Sequence, residues 1–384
     1  MRILTAFRSL FMVGLLAASA AALPAAAVAQ NDTGQPIGQE DNTSYGTTSA
    51  EFLLLGAGAR GTALGGSFAA IATDISALYY NPAGAALIEK AGLTIGTYDY
   101  VADTRYSWGG VAFPFSGGSR TVGFQLGTFG FRDQPVFTEE QPDGTGATYS
   151  VNQTFVGITF AQNFSDRFSA GLTAKYVDDR LGTVNGSAFA VDFGTNFHAT
   201  LNNHPVKFSF VLANLGSNLT YEGTGLQGNV DRDPIAGEDP IPTLPQTANL
   251  LTKDFPLPTT FRVGLAYDVI AGDNNRLTVL GDFNQPNNNT PGFAFGSEWM
   301  SNRIGGSNFG FALRGSYSYT GANDLDPVSI DTGLNDEEKL HGLAFGGGLL
   351  YGAGNGGFNL GLDYAYKYLG ILGPTNFFSF TLGW

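Results

Sequence analysis

The chain has no cysteine among its 384 residues, which excludes disulfides, thiolate catalysis and Cys-ligated metal sites together. Charge is scarce. Asp, Glu, Lys and Arg make up 14% of the sequence, where a globular domain usually carries about 25%. Basic residues number 19 against 33 acidic, a formal net charge of −14, which argues against nucleic acid as a partner. Past residue 30 no run approaches the ~18 consecutive apolar residues that a membrane helix needs. The three histidines, His198, His204 and His341, share no ligand spacing. No Ser/His/Asp constellation stands out, so no metal, cofactor or enzymatic activity is expected. What the chain does have is 54 glycines and 13% aromatic residues. A charge-poor, aromatic-rich exported chain without spanning helices has one membrane solution, a closed sheet that satisfies its own backbone.

Export is read from the N-terminus. Arg2 and Arg8 precede a short apolar stretch, Leu10 to Ala22, and Ala27-Val28-Ala29 offers the small-x-small cleavage pattern. Residues 1–29 therefore read as a cleavable signal peptide and 30–48 as a polar, flexible segment. Residues 49–90 are apolar and small-residue-rich without period-two alternation, which predicts short helices and turns.

From residue 91 to 384 the period is two. Phe189, Val191, Phe193 and Phe197 alternate with Ala190, Asp192, Gly194 and Asn196; Leu360, Leu362, Tyr364, Tyr366 and Tyr368 alternate with Asn359, Gly361, Asp363, Ala365 and Lys367. One face suits lipid and the other a crowded polar lumen. Fourteen strands are predicted, at 91–101, 104–115, 119–130, 148–162, 167–178, 184–200, 205–215, 259–270, 276–285, 291–301, 306–319, 339–351, 357–368 and 375–384. Connections after even-numbered strands are all short, and the long ones, 131–147, 216–258 and 320–338, all follow odd-numbered strands. That segregation marks a bacterial outer-membrane barrel with its short turns in the periplasm. Phe378, Phe380, Leu382 and Trp384 alternate up to a terminal aromatic, which resembles the signal read by the barrel-assembly machinery.

Several segments together resemble the PorV/PorQ family of outer-membrane proteins, which is related to the FadL-type channels. They are Gly58-Ala59-Arg60-Gly61, Leu64-Gly65-Gly66-Ser67-Phe68, Asn81-Pro82-Ala83-Gly84, Asp363-Tyr364-Ala365-Tyr366 and, more weakly, Ala190-Val191-Asp192-Phe193-Gly194 and Asn214-Leu215-Gly216. The resemblance implies a transmembrane antiparallel barrel of about fourteen strands with residues 49–90 as a hatch inside the lumen. It implies two functions. One is an accessory, cargo-handling role in protein export, of the type IX secretion kind, in which secretion proteins or exported cargo meet the outer loops. The alternative is a passive channel for hydrophobic small molecules. The first is the main expectation, because small hatch residues suit permanent filling of the lumen.

The candidate hatch and lumen residues are Arg60, Asn81, Pro82, Gly84, Arg262, Arg314, Glu298 and Asp363. On the lumen face, charges line a path or, more often, pair with one another or with the hatch, because a buried charge without a partner is costly. Asn81-Pro82-Ala83-Gly84 reads first as a rigid turn and second as the lining of a ligand path. Gly56-Ala57-Gly58-Ala59-Arg60-Gly61 matches a dinucleotide fingerprint but lacks the βαβ context, so its glycines read as close-packing positions. The long loops are acidic and read as a solvated surface or docking face at the cell exterior.

Overall fold

The computed structural model describes residues 44, 46–230, 246–272, 274–320, 342–353 and 357–384. The expected signal peptide, most of the polar segment after it, and the acidic stretches 231–245 and 321–341 lie outside the described residues.

The strands are β1 Gly92–Asp99, β2 Arg105–Phe115, β3 Arg120–Pro135, β4 Thr148–Ser165, β5 Phe168–Leu181, β6 Val184–Leu201, β7 His204–Gly216, β8 Tyr221–Gly223, β9 Gln227–Val230, β10 Gln246–Asn249, β11 Thr260–Ala271, β12 Asn275–Pro286, β13 Gly292–Ser301, β14 Phe309–Thr320, β15 Leu343–Gly352, β16 Asn359–Tyr368 and β17 Pro374–Gly383. Fourteen of them, β1–β7 and β11–β17, form one antiparallel ring, closed where Gly92 pairs with Gly383 and Leu93 with Leu382. Closure leaves no open edge, so backbone polar groups in the wall pair within the sheet.

The alternation sorts as expected. Phe189, Phe193 and Phe197 are exposed on the outer face, while Asp192 and Asn196 are fully buried inside. The strand ends joined by the short connections β2–β3, β4–β5, β6–β7, β11–β12, β13–β14 and β15–β16 lie at one end of the ring, and those flanking the long connections, Pro135 and Thr148, Gly216 and Thr260, and Thr320 and Leu343, lie at the other. In outer-membrane barrels generally the short-turn end faces the periplasm and the long-loop end the exterior.

Two features depart from the sequence reading. β3 runs on to Pro135, past a register shift between Phe131 and Gln134, and so shortens the first long loop. The 216–258 connection carries three short strands: β8 pairs with the outer end of β6, Val184 opposite Gly223, and β9 pairs with β10. Segments of three or four residues are too short to show a period, and β8 is recruited by the stretch of β6 that β7 does not reach.

The hatch threads the barrel from the long-loop end to the short-turn end. At the outer end the Ser44 N–H donates to the Asn287 carbonyl (2.8 Å), and the Ser49 N–H to that of Pro256 (3.0 Å). Short helical turns follow at Glu51–Leu54, Gly58–Ala63, Ala77–Tyr80 and Pro82–Leu87. At the periplasmic end Ser169 of β5 donates to the Ala83 carbonyl (3.2 Å). The path has a direct check. A cysteine replacing exposed Thr47 should react with a membrane-impermeant maleimide on intact cells, and one replacing Asn203 should not. The reverse pattern would invert the barrel.

Candidate functional site between the hatch and the barrel wall

The lumen is filled from its own sequence. Ala57, Ala59, Ala63, Leu64, Phe68, Ala70, Ala72, Leu78, Ala83 and Ala85 of the hatch are fully buried. Small side chains bring hatch backbone against wall backbone. A Cβ at Gly61 would lie 2.4 Å from the Tyr80 ring, so glycine there lets the ring lie on the Gly58–Ala63 helix. Tyr79 and Tyr80 hold the outer half. The Tyr79 hydroxyl donates to the Leu53 carbonyl (2.6 Å), and the Gly56 and Ala57 N–H groups donate to Tyr79 and Tyr80 (2.9 and 3.1 Å).

Four of the expected residues form one buried ion-pair chain. Arg60 of the hatch donates from Nε and Nη2 to Glu298 of β13 (2.8 and 2.7 Å) and from Nη1 to Asp74 (2.7 Å). Arg314 of β14 donates from Nε to the same Glu298 (2.7 Å) and from Nη1 to Asp363 of β16 (2.6 Å). The side chains of Glu298 and Arg314 are each only 1% exposed, so the charges are compensated by one another and not by solvent. Arg314 reaches Asp363 across β15 because position 348 is glycine; a Cβ there would come within 2.2 Å of Asp363 Oδ1. Burial by itself lowers the Arg60 pKa, but Glu298 and Asp74 outweigh it and hold the guanidinium charged, above its ordinary value. Asp74 was not among the expected residues. Its neighbours Ile71, Ala72 and Ile75 carry no polar pattern that would single it out.

In a second buried pair alternation placed Asp192 on the inner face, but its partner Lys175 escaped sequence reading. Lys175 of β5 meets Asp192 of β6 (2.7 Å) and donates to Asn214 Oδ1 (2.5 Å). Asn214 holds a left-handed φ of 59°, and its N–H donates to Asp192 (2.7 Å). The available signal was Lys175 on the same alternation as Thr173 and Val177, both buried.

Asn81, Pro82 and Gly84 sit together but line no open space. Asn81 is fully buried; its Nδ2 donates to the Ala69 carbonyl (2.9 Å) and Asn196 Oδ1 (3.3 Å), and its Oδ1 accepts from the Ala83 N–H (3.1 Å). Wall glycines receive this turn: a Cβ on Gly194 would lie 2.2 Å from Asn81 Oδ1, and one on Gly171 2.4 Å from the Pro82 carbonyl.

Arg262 lies apart from the ion-pair chain. It lines a cavity of about 210 Å³ in the outer half of the lumen, between the hatch and β11–β14 and β16. Leu54, Leu55, Tyr79 and Tyr80 of the hatch supply apolar and aromatic lining, and Arg262, Lys367, Asp282 and Asn284 supply polar groups. Arg262 donates to Asn284 Oδ1 (3.3 Å). Among the described residues neither Arg262 nor Lys367 lies within ion-pair distance of a carboxylate. A larger apolar concavity, about 980 Å³, runs over β14–β17 and β1–β3. The outward-facing Ile95, Leu126, Leu313, Leu349, Leu362 and Phe378 line it, so it belongs to the lipid-facing surface. No group of His, Asp or Glu among the described residues is arranged to hold a metal ion.

Residues 22–178 match the profile of an uncharacterised protein family, UPF0164. No curated protein matches the chain. Among solved structures, the toluene transporter TbuX of Ralstonia pickettii superposes with a TM-score of 0.50 at 12% identity, over 86% of this chain and 98% of its own. The chain shares that fold. The monoaromatic hydrocarbon channel CymD aligns over 86% of this chain and 97% of its own, at 13% identity and a TM-score of 0.49. A FadL homologue of Pseudomonas aeruginosa aligns over 82% and 95%, at 11% identity and a TM-score of 0.44. These neighbours are FadL-type outer-membrane channels. The finer PorV/PorQ resemblance finds no support among them, and the accessory role that rested on it loses its main argument.

Proposed function

We propose that the protein is a passive outer-membrane channel that admits a small molecule with an apolar body and one polar or anionic group. The observation that carries this reading is the outer cavity. It sets Leu54, Leu55, Tyr79 and Tyr80 of the hatch beside Arg262 and Lys367, which have no carboxylate partners among the described residues, inside a hatch-bearing barrel of the FadL-type fold. Such a cavity suits a ligand that buries apolar surface and directs its polar end at a few placed groups. The apolar exterior, the loop segregation and the channel neighbours support an outer-membrane location, with lipid around the wall. Phe378 and Trp384 stand on the outer face of β17; with Phe380 and Leu382 they are the residues we assign to recognition by the barrel-assembly machinery.

Passage through a filled lumen requires the hatch to move. Deleting residues 49–90 should therefore raise the conductance of the protein in planar bilayers and the uptake of phenylacetate into proteoliposomes. A deletion variant that assembles as a heat-modifiable barrel yet conducts no more than the full chain would refute the channel reading. The accessory reading predicts instead that trimming the loop 136–147 abolishes capture of an exported protein and leaves permeability unchanged.

A further inference from the structure

We infer that cargo passes between hatch residues Leu64–Ala72 and the wall strands β7, β11, β12 and β13, where Asp282 and Ser209 are the polar groups it meets. This inference rests on the channel reading of the preceding section.

The hatch is not held equally on all sides. Towards β13, β14 and β16 it is fixed by the Arg60–Glu298–Arg314–Asp363 chain. Towards β3 and β5 it is fixed by Gln125, which donates to the Leu78 carbonyl (2.6 Å), and by Ser169. Towards β6 it is fixed by Asn81 on Asn196 and by the fit of its turn over Gly194. The Leu64–Ala72 segment has one hydrogen bond to the wall among the described residues, a long one of 3.3 Å from the Ala69 N–H to Asp282 Oδ2.

The same face holds buried polar atoms without partners. Asp282 is 4% exposed and Ser209 0%, and neither Asp282 Oδ1 nor Ser209 Oγ has a hydrogen bond among the described residues. Leaving such atoms buried and unpaired is unfavourable. The closed contact is therefore poor, and parting it lets water or cargo satisfy both groups. Both atoms converge on Gly264: a Cβ there would meet Ser209 Oγ at 2.5 Å, Asp282 Oδ1 at 3.0 Å and the Ala70 nitrogen at 3.2 Å. Strands β7 and β12 and the hatch thus point polar groups at one spot on a bare stretch of β11.

The remaining requirements are a hinge and a way in. Gly65 and Gly66 take φ of 61° and 90°, and a side chain on Gly66 would meet nothing within 4 Å. The outer cavity reaches both glycines and Asp282, so it is the upper end of this seam. Ser209 Oγ can donate to a polar group of the cargo, whereas the Asp282 carboxylate only accepts and opposes an anionic one, so the seam favours a solute with a hydrogen-bonding group over a bare hydrocarbon and slows a carboxylate.

A disulfide across the seam tests this cleanly, because the chain has no cysteine of its own. Ser67 Oγ lies 2.6 Å from where a Cβ on Gly296 of β13 would stand, which places Ser67→Cys and Gly296→Cys within bonding reach. The full-length double variant, both single variants and the unsubstituted protein would be reconstituted into liposomes and assayed for uptake of phenylacetate at neutral pH. The reduced double variant and both single variants should carry it as the unsubstituted protein does. The oxidised double variant should fall to the level of protein-free vesicles. Equal uptake by oxidised and reduced forms would show that the seam does not open and would overturn the inference while leaving the channel reading standing. Absence of uptake by the unsubstituted protein would overturn both. Asp282→Asn keeps the shape and removes the charge, and should raise phenylacetate uptake several-fold in a barrel that remains heat-modifiable. An unchanged rate would overturn the part assigned to Asp282.

Discussion

Replacing Glu298 by glutamine is expected to cost about 3–5 kcal/mol of stability, the range measured when one partner of a buried ion pair is removed. Glu298 accepts three hydrogen bonds from two guanidiniums, Arg60 and Arg314, in a site that solvent does not reach. Glutamine nearly preserves the shape. It leaves Arg60 with Asp74 alone and Arg314 with Asp363 alone, and puts an amide N–H₂ where a carboxylate oxygen accepted. The loss should appear as a lower urea midpoint for unfolding in detergent and as a larger fraction that never becomes heat-modifiable. The exposed pair Arg105–Asp99 on β1 and β2 supplies the contrast, since its two side chains are 58% and 72% exposed. Asp99→Asn should move the urea midpoint far less, because solvent already screens the pair. A Glu298→Gln variant no less stable than Asp99→Asn would show that the buried chain does not hold the hatch.

Gly84→Val should unseat the hatch while the barrel still closes. A Cβ at position 84 would stand 1.7 Å from the Ala72 carbonyl oxygen, an approach that no rotamer relieves because the obstacle is backbone. Overpacking usually costs about 1–3 kcal/mol, and a backbone collision inside a filled lumen belongs at or beyond the top of that range. Among the described residues no wall strand pairs with the hatch, so the damage should be confined to residues 49–90. Limited proteolysis of the folded, detergent-solubilised barrel should cut within that segment in the variant and spare it in the unsubstituted chain. Gly315→Ala is the matched control, because a Cβ there meets nothing within 4 Å. Equal protease resistance of the Gly84→Val variant and the unsubstituted protein would mean that the turn over Ala72 is not what seats the hatch.

The lumen charges were legible in the sequence as a set but not as pairs. Alternation placed Glu298, Arg314 and Asp363 on the inner face, and Arg60 stood out as the basic residue of a small-residue segment. Which of them meet was not legible. Glu298 and Arg314 sit opposite each other only because β13 and β14 take that register, and Arg314 reaches Asp363 only over a glycine of the strand between them. Arg262 belonged to the same list and proved to stand elsewhere, on the cavity. Its inward direction follows from period two, but its height in the barrel relative to the hatch does not. Asp74 and Lys175 were missed for a related reason, since what they meet is set by the fold of the hatch and by the β5–β6 register rather than by a local pattern.

By itself the sequence determined the strand count, the inner and outer faces, the end that carries the long loops, and the segment with no place in the wall. Those properties are local, because pleat alternation and turn chemistry act over a few residues, and lipid rewards an apolar outer face whatever the partner strand. Only the tertiary structure decided how the hatch threads the lumen, which charges compensate one another, and that its Leu64–Ala72 stretch rests on unpaired polar atoms of β7 and β12. These depend on strand registers and on hatch-to-wall distances, which pleat alternation and turn chemistry over a few residues do not set.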